Sequence, residues 1–233
     1  MVVKNVALIG WHEGLAGQVH SWLAESGPYR VTCFVHPEDS PPRVTSVARD
    51  ASQFDYPTEN SFKGLPLVCR ADWPEVLRHD GIHHVLVTLD DALERLAALK
   101  QAQAAGLTLI NAIHPSVRLM ADALLGENVI LHAGVHVGYR AEIRNGAFLN
   151  TNAQVDHHDV IETCATIDPG VVLAGNVTVG AGARVHTGAV VKNRIRIGAG
   201  SIIGAGAVVI RDIPAGVTAV GVPAEIIKTK AGN

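Results

Sequence analysis

The strongest constraint on this chain is a six-residue period that runs unbroken from Leu125 to Val209. Every sixth residue is aliphatic, from Leu125, Leu131, Val137 and Ile143 through to Ile203 and Val209. Four residues after each comes a small or β-branched side chain, from Val129 to Ile213, and Asp159 is the exception. A unit this short cannot bury its apolar residues alone, so neighbouring units must stack into one continuous core. The expected product is a β-solenoid. Three hexads make one triangular coil, and residues eighteen apart lie over one another. Each polar residue of the repeat thus falls on a face, at a corner or inside.

Composition agrees with this reading. Seven of the 23 glycines precede residue 125 and sixteen follow it, as a chain turning a corner every six residues requires. Aromatics are 4% of the chain, which suits a thin prism. The 233 residues divide naturally into two domains. Net charge is −4 over 1–124 and +1 over 125–233, with no basic stripe, so nucleic acid is not an expected partner. Cys33, Cys69 and Cys164 are scattered and odd in number, which points to a reducing cytoplasm rather than a disulfide framework. No run reaches the roughly 18 apolar residues of a membrane helix, and the opening Met1–Gly10 is too short for a signal peptide, so no membrane partner is expected.

Before the solenoid, β and α patterns alternate. Val2–Ile9, Tyr29–Val35, His84–Leu89 and Leu107–Ile110 read as strands. Gly14–Glu25, Trp73–His79 and Asp90–Ala105 read as helices, the last with Asp90 as N-cap and Gly106 as its end. Residues 36–60 read as an irregular excursion. The expectation is a small Rossmann-like parallel sheet covered by helices over 1–113. His114-Pro115-Ser116 breaks that pattern, and 114–233 is assigned to the solenoid and a C-terminal cap.

The hexads Val179-Gly-Ala-Gly-Ala183, Ile197-Gly-Ala-Gly-Ser201 and Ile203-Gly-Ala-Gly-Ala207 resemble the bacterial hexapeptide-repeat acyltransferases. The wider arrangement is similar to one branch of them, the sialic-acid O-acetyltransferase type, which includes N-acetyltransferases of nucleotide-linked 4-amino-4,6-dideoxy sugars. The match rests on Gly64-Leu-Pro-Leu-Val68, His114-Pro115-Ser116, Asn150-Thr151, Ala174-Gly175-Asn176 and Val220-Gly-Val-Pro-Ala224. The resemblance implies a left-handed parallel β-helix, a homotrimer, acetyl-CoA as co-substrate, a sugar amine or hydroxyl as acceptor, and no metal.

His157 lies two residues after an inward aliphatic, at a corner or edge, where an imidazole can take a proton from an attacking amine or hydroxyl. The branch places a carboxylate directly after this histidine, whereas here His158 comes next and Asp159 follows. Either His158 takes the orienting slot, or the pair His158–Asp159 has replaced the usual histidine–carboxylate pair; Asp159 is expected to contact one of the two histidines. A buried carboxylate must pair or be protonated, so the alternative for Asp159 is to cap a turn. Gly175 stacks one coil after His157. The resemblance implies that its N–H holds the thioester carbonyl, although a corner glycine also serves positive φ. Tyr139, one coil before, lines the sugar pocket or packs along the face. By the same resemblance Thr166 stands where a histidine is common near the coenzyme sulfur. Thr187 and Ala205 would line the coenzyme groove between two chains, and the Val220–Ala224 segment with Gly221 would close over the adenine. In the first domain the branch's glycine-rich turn is diluted to Gly10-Trp-His-Glu-Gly14, with Gly64 in a second matching segment. Trp11 is a candidate to stack on a base, and His12 to replace the branch's histidine; the other reading is a purely structural domain.

Two further functions fit parts of the pattern. His132, His136, His157, His158 and His186 lie on the solenoid, and the trimeric γ-class carbonic anhydrases bind zinc with histidines on the same fold. The departures at His158, Thr166 and the first turn would also suit a non-catalytic trimeric binding protein.

Overall fold

The computed structural model describes residues 2–40 and 60–229; most of the expected excursion over 36–60 lies outside them. The chain forms two compact units, 1–110 and 111–233, so the boundary falls three residues before the expected one.

The first unit is an α/β sheet. Its strands are β1 (Lys4–Ile9), β2 (Tyr29–His36), β3 (Ser61–Phe62), β4 (Leu65–Cys69), β5 (His84–Val87) and β6 (Thr108–Leu109), in the order β3-β4-β2-β1-β5-β6. Pairing is parallel except in the β3–β4 hairpin. Val6, Ala7, Leu8 and Ile9 are all fully buried, as the centre of a parallel sheet covered on both sides requires. From β1 the chain goes to β2 on one side and later to β5 on the other, which makes the carboxyl ends of β1, β2 and β5 a topological switch point.

Between β1 and β2 the chain is helical over 13–25, with α1 (Gln18–Trp22) at its middle, and Leu15, Val19, Trp22 and Leu23 buried as their spacing predicts. The remaining helices are α2 (Trp73–His79), with Pro74 in its first turn, and α3 (Ala92–Ala104). The cap of α3 is Asp91 rather than Asp90: its Oδ1 accepts from the amides of Leu93 at 2.8 Å and Glu94 at 3.0 Å. Asp91→Ala is expected to lower stability by about 1 kcal/mol, read as a lower urea midpoint at unchanged slope.

The second unit is a left-handed parallel β-helix of three faces, each built from two-residue strands. Strands pair in the eighteen-residue register, Leu131 on Leu149 on Ile167 on Val185. Both inward rows are buried, Asp159 included. Stacking begins earlier than the hexad count from Leu125. Ala112–Ile113 pairs with Ile130–Leu131, and Arg118–Leu119 with His136–Val137. His114-Pro115-Ser116 forms the first corner of the solenoid. His114 Nδ1 accepts from the Ser116 amide at 3.1 Å, and Ser116 Oγ accepts from the Gly134 amide at 3.0 Å. At the other end Val217–Val220 joins the first face, and Glu225–Thr229 folds back on it antiparallel.

Candidate active site

Faces one, two and three start at Ala112–Ile113, Arg118–Leu119 and Leu124–Leu125. The corner between faces two and three carries Tyr139, His157 and Gly175 in one column, because each follows its inward aliphatic by two residues and the aliphatics are one coil apart.

The His157 ring is held from two sides. Its Nδ1 lies 3.1 Å from Nδ1 of His158. Its Nε2 and Cε1 lie against Gly175, where a Cβ would collide with both. Gly175 is therefore glycine for space. It is absent from the positive-φ residues of this corner, and the left-handed position belongs to Asn176, with φ 64°. The Gly175 carbonyl accepts from the Arg194 amide, while its own N–H donates to no protein acceptor among the described residues. An imidazole nitrogen thus faces a strand-like turn with an unused amide beside it.

Asp159 does not contact either histidine, which corrects the expectation that it pairs with one. Its side chain points inward, and each oxygen takes a backbone amide: Oδ2 from Asp156 at 2.8 Å and Oδ1 from Val177 at 2.7 Å. It caps a turn and ties one coil to the next. Burial pushes its carboxyl up to about 7, with the two amide bonds acting in the opposite sense.

Tyr139 is half-exposed and meets His158 edge to face, ring centroids 5.6 Å apart, with the Arg140 guanidinium 5.0 Å from its own ring centre. Thr166 is elsewhere, buried on face one between Phe148 and Arg184. Thr187 and Ala205 are exposed and share the column at the corner between faces one and two, where the Thr187 carbonyl accepts from the Gly206 amide. Gly221 follows the last coil with φ 98°, its carbonyl bonded to the Val208 amide. Of the expected coenzyme-binding residues, only Gly175 stands with His157 in a single chain.

In the first unit the switch point holds a cleft of about 290 Å³ lined by Trp11, His36, Pro37, Glu38, Leu89 and Glu94, among others. The Trp11 and His36 rings meet edge to face, centroids 6.2 Å apart. The other expected residues serve the backbone. Gly10 has φ 126°, and a Cβ there would come within 2.7 Å of Thr88 Oγ1. His12 Nδ1 accepts from the Gly14 amide and caps the helical segment. Gly64, φ 72°, and Lys63, φ 49°, form the two-residue turn of the β3–β4 hairpin.

Sequence reasoning missed one cluster. Asp168, nearly buried, accepts from Arg184 Nε at 3.0 Å and Nη2 at 3.1 Å, and its Oδ2 lies 2.8 Å from His186 Nδ1. The eighteen-residue spacing of 168 and 186 was the available signal. His132 is buried beside the Phe148 ring, and burial depresses it to about 4. Among the described residues no three His, Cys, Asp or Glu side chains are grouped as metal ligands.

No family model matches this chain. Solved structures do. PerB from Caulobacter crescentus, in complex with CoA and GDP-perosamine, is 32% identical over 97% of this chain and 99% of its own, with a TM-score of 0.83. That protein is a GDP-perosamine N-acetyltransferase, and it has also been solved with one histidine changed to alanine or asparagine. The acetyltransferase domain of PglB from Neisseria gonorrhoeae, in complex with acetyl coenzyme A, is 27% identical over 97% of this chain and 100% of its own, TM-score 0.79. WeeI from Acinetobacter baumannii shares the fold at 21% identity and a TM-score of 0.76. A hexapeptide solenoid behind an α/β unit, a corner histidine facing a glycine amide, and this identity over nearly the whole of both chains lead to one conclusion: the chain belongs to the hexapeptide-repeat amino-sugar N-acetyltransferase family.

Proposed function

We propose that this protein transfers the acetyl group of acetyl-CoA to the amine of a nucleotide-linked amino sugar. One observation carries the reading: the exposed His157 Nε2 sits against Gly175, whose N–H is unused. In the proposed reaction the sugar amine attacks the thioester carbonyl carbon, and His157 Nε2 takes its proton. The carbonyl oxygen, now carrying the charge, accepts from the Gly175 N–H. The C–S bond then breaks, the thiolate takes the proton from His157, and the products are the N-acetyl sugar and CoA. The chemistry needs neither an acyl-enzyme nor a metal. Trp11 and Glu38 are proposed to hold the nucleotide end, because their cleft lies where open α/β sheets bind ligands. Tyr139 is proposed to flank the sugar.

The proposed assembly is a homotrimer. Val172 and Val190 stand exposed one above the other on face two, an apolar stripe suited to burial against a neighbour. Thr187 and Ala205 lie at the far edge of that face from His157, so a groove between two chains would give one coenzyme both sets. No helix among the described residues is long and apolar enough to cross a membrane. We place the reaction in the cytoplasm, where thiols such as those of Cys33, Cys69 and Cys164 stay reduced.

The test is calorimetric titration with acetyl-CoA, then with UDP-, GDP- and dTDP-linked amino sugars, followed by mass spectrometry of the products. A 42 Da gain on one nucleotide sugar (about 42 by the mass of acetyl replacing hydrogen) is the expected result. Coenzyme binding without transfer to any amine would overturn it.

A further inference from the structure

We infer that His158 is a positioning residue that sets the tautomer of His157, an imidazole acting where a carboxylate would ordinarily be used. The inference deepens the acetyltransfer reading and rests on His157 being its base. Two independent observations support it.

The first is the contact. An imidazole with one proton has one donor nitrogen and one acceptor nitrogen. Between the two Nδ1 atoms at 3.1 Å, one must donate and the other accept. If His157 donates from Nδ1, its Nε2 keeps the lone pair that faces Gly175, and the ring is a base. If His158 donates, the His157 proton sits on Nε2 and the ring cannot accept. Only the first arrangement lets His157 take a proton from an arriving amine, and in it His158 carries its own proton on Nε2. No carboxylate competes for the role, since both Asp159 oxygens are taken by backbone amides. The Asp156 carboxylate is also engaged locally, Oδ1 accepting from the His157 amide.

The second is conformational. His158 has φ 60°, in the left-handed region. From Asn128 to Gly206 the residue three after each inward aliphatic takes this conformation, and the other two corner columns mostly use glycine there: Gly134, Gly170, Gly188 and Gly206 at one, Gly146, Gly182 and Gly200 at the other. The corner of His157 uses Arg140, His158, Asn176 and Arg194. Any side chain at this position costs backbone energy that glycine would not, and at 158 that side chain is the imidazole in contact with His157. Tyr139 packs on its ring edge to face and fixes its direction.

His158→Gly separates this role from a structural one, because it removes the imidazole and relieves the backbone together. The variant should be no less stable than the parent. Its kcat should fall by about 10–10²-fold, part of the worth of a general base, with the KM for acetyl-CoA unchanged. His158→Asp, which tolerates left-handed φ and accepts from Nδ1–H, should restore most of the loss. Nitrogen-15 spectra of the histidines in the intact parent read the tautomer without turnover. The expected signal is a protonated Nδ1 on His157 that is lost in His158→Gly. A His158→Gly enzyme within twofold of the parent, or a His157 proton found on Nε2 with substrate analogue bound, would overturn the inference. An enzyme inactive on every sugar nucleotide but with the expected spectra would instead count against the acetyltransfer reading alone.

Discussion

Gly175→Ala is expected to lower kcat by about 10²–10⁴-fold, as much as removing the His157 imidazole outright. The backbone at 175 does not need glycine, so the variant should fold and keep its circular dichroism. The added Cβ has no room, because Nε2 and Cε1 of His157 occupy its place. The ring must swing away, and the base and the amide donor lose their common target. A displacement on the order of 1 Å is enough for a 10²-fold loss in a positioned site. His157→Ala should give a similar deficit with acetyl-CoA binding retained. The two changes remove one device, so the double variant should be no slower than the worse single one; additive losses would show that glycine and imidazole act separately.

Asp159→Asn is expected to abolish a pH dependence of stability that the parent carries. The folded carboxyl titrates near 7, above its value in the unfolded chain. The folded state therefore holds a proton between about pH 4 and 7 that the unfolded state has released. Its contribution is fully present below pH 4 and declines as pH rises through 7, by roughly 2–4 kcal/mol. Asparagine cannot titrate. It also cannot satisfy both amides, because the Asp156 and Val177 N–H groups are met by different oxygens and its NH₂ would confront one of them. The variant should be less stable than the parent at pH 5 by about 1–3 kcal/mol, with the gap narrowing at pH 8. Urea unfolding at the two values checks this. A constant difference would mean the carboxyl is ionised throughout.

The solenoid was legible because its rule is local. An aliphatic every six residues and a small residue four later leave no other way to bury both rows, and Leu131 to Val209 behave as that rule requires. Its beginning was less legible. Pro115 looks like an interruption in a linear reading, yet a corner has no ladder bond for proline to break, so Ile113 and Leu119 belong to the same row. Register likewise placed Asp159 inside and His157 outside. What it could not supply was the partner. Backbone amides carry no letter in the sequence, so a carboxylate that caps a turn looks the same as one that orients a histidine. Gly64 shows the same limit: a Lys-Gly hairpin turn accounts for it without a ligand. The pairing of Asp168 with His186 was open to anyone who applied the eighteen-residue rule to side chains outside the core as well as to those within it.

The antiparallel return of Glu225–Thr229 onto Val217–Val220 bears on how such a chain stays a discrete molecule. Each coil of a parallel solenoid is a template for the next, and a bare last coil would recruit the first coil of another copy into a growing fibre. On the first face the turnaround covers that template with a strand running the wrong way. Its edge also carries Glu225 and Lys228, two charges that an incoming strand would have to desolvate. The segment that ends the repeat thus works as a chain terminator, halting self-propagation of the pattern that builds the enzyme.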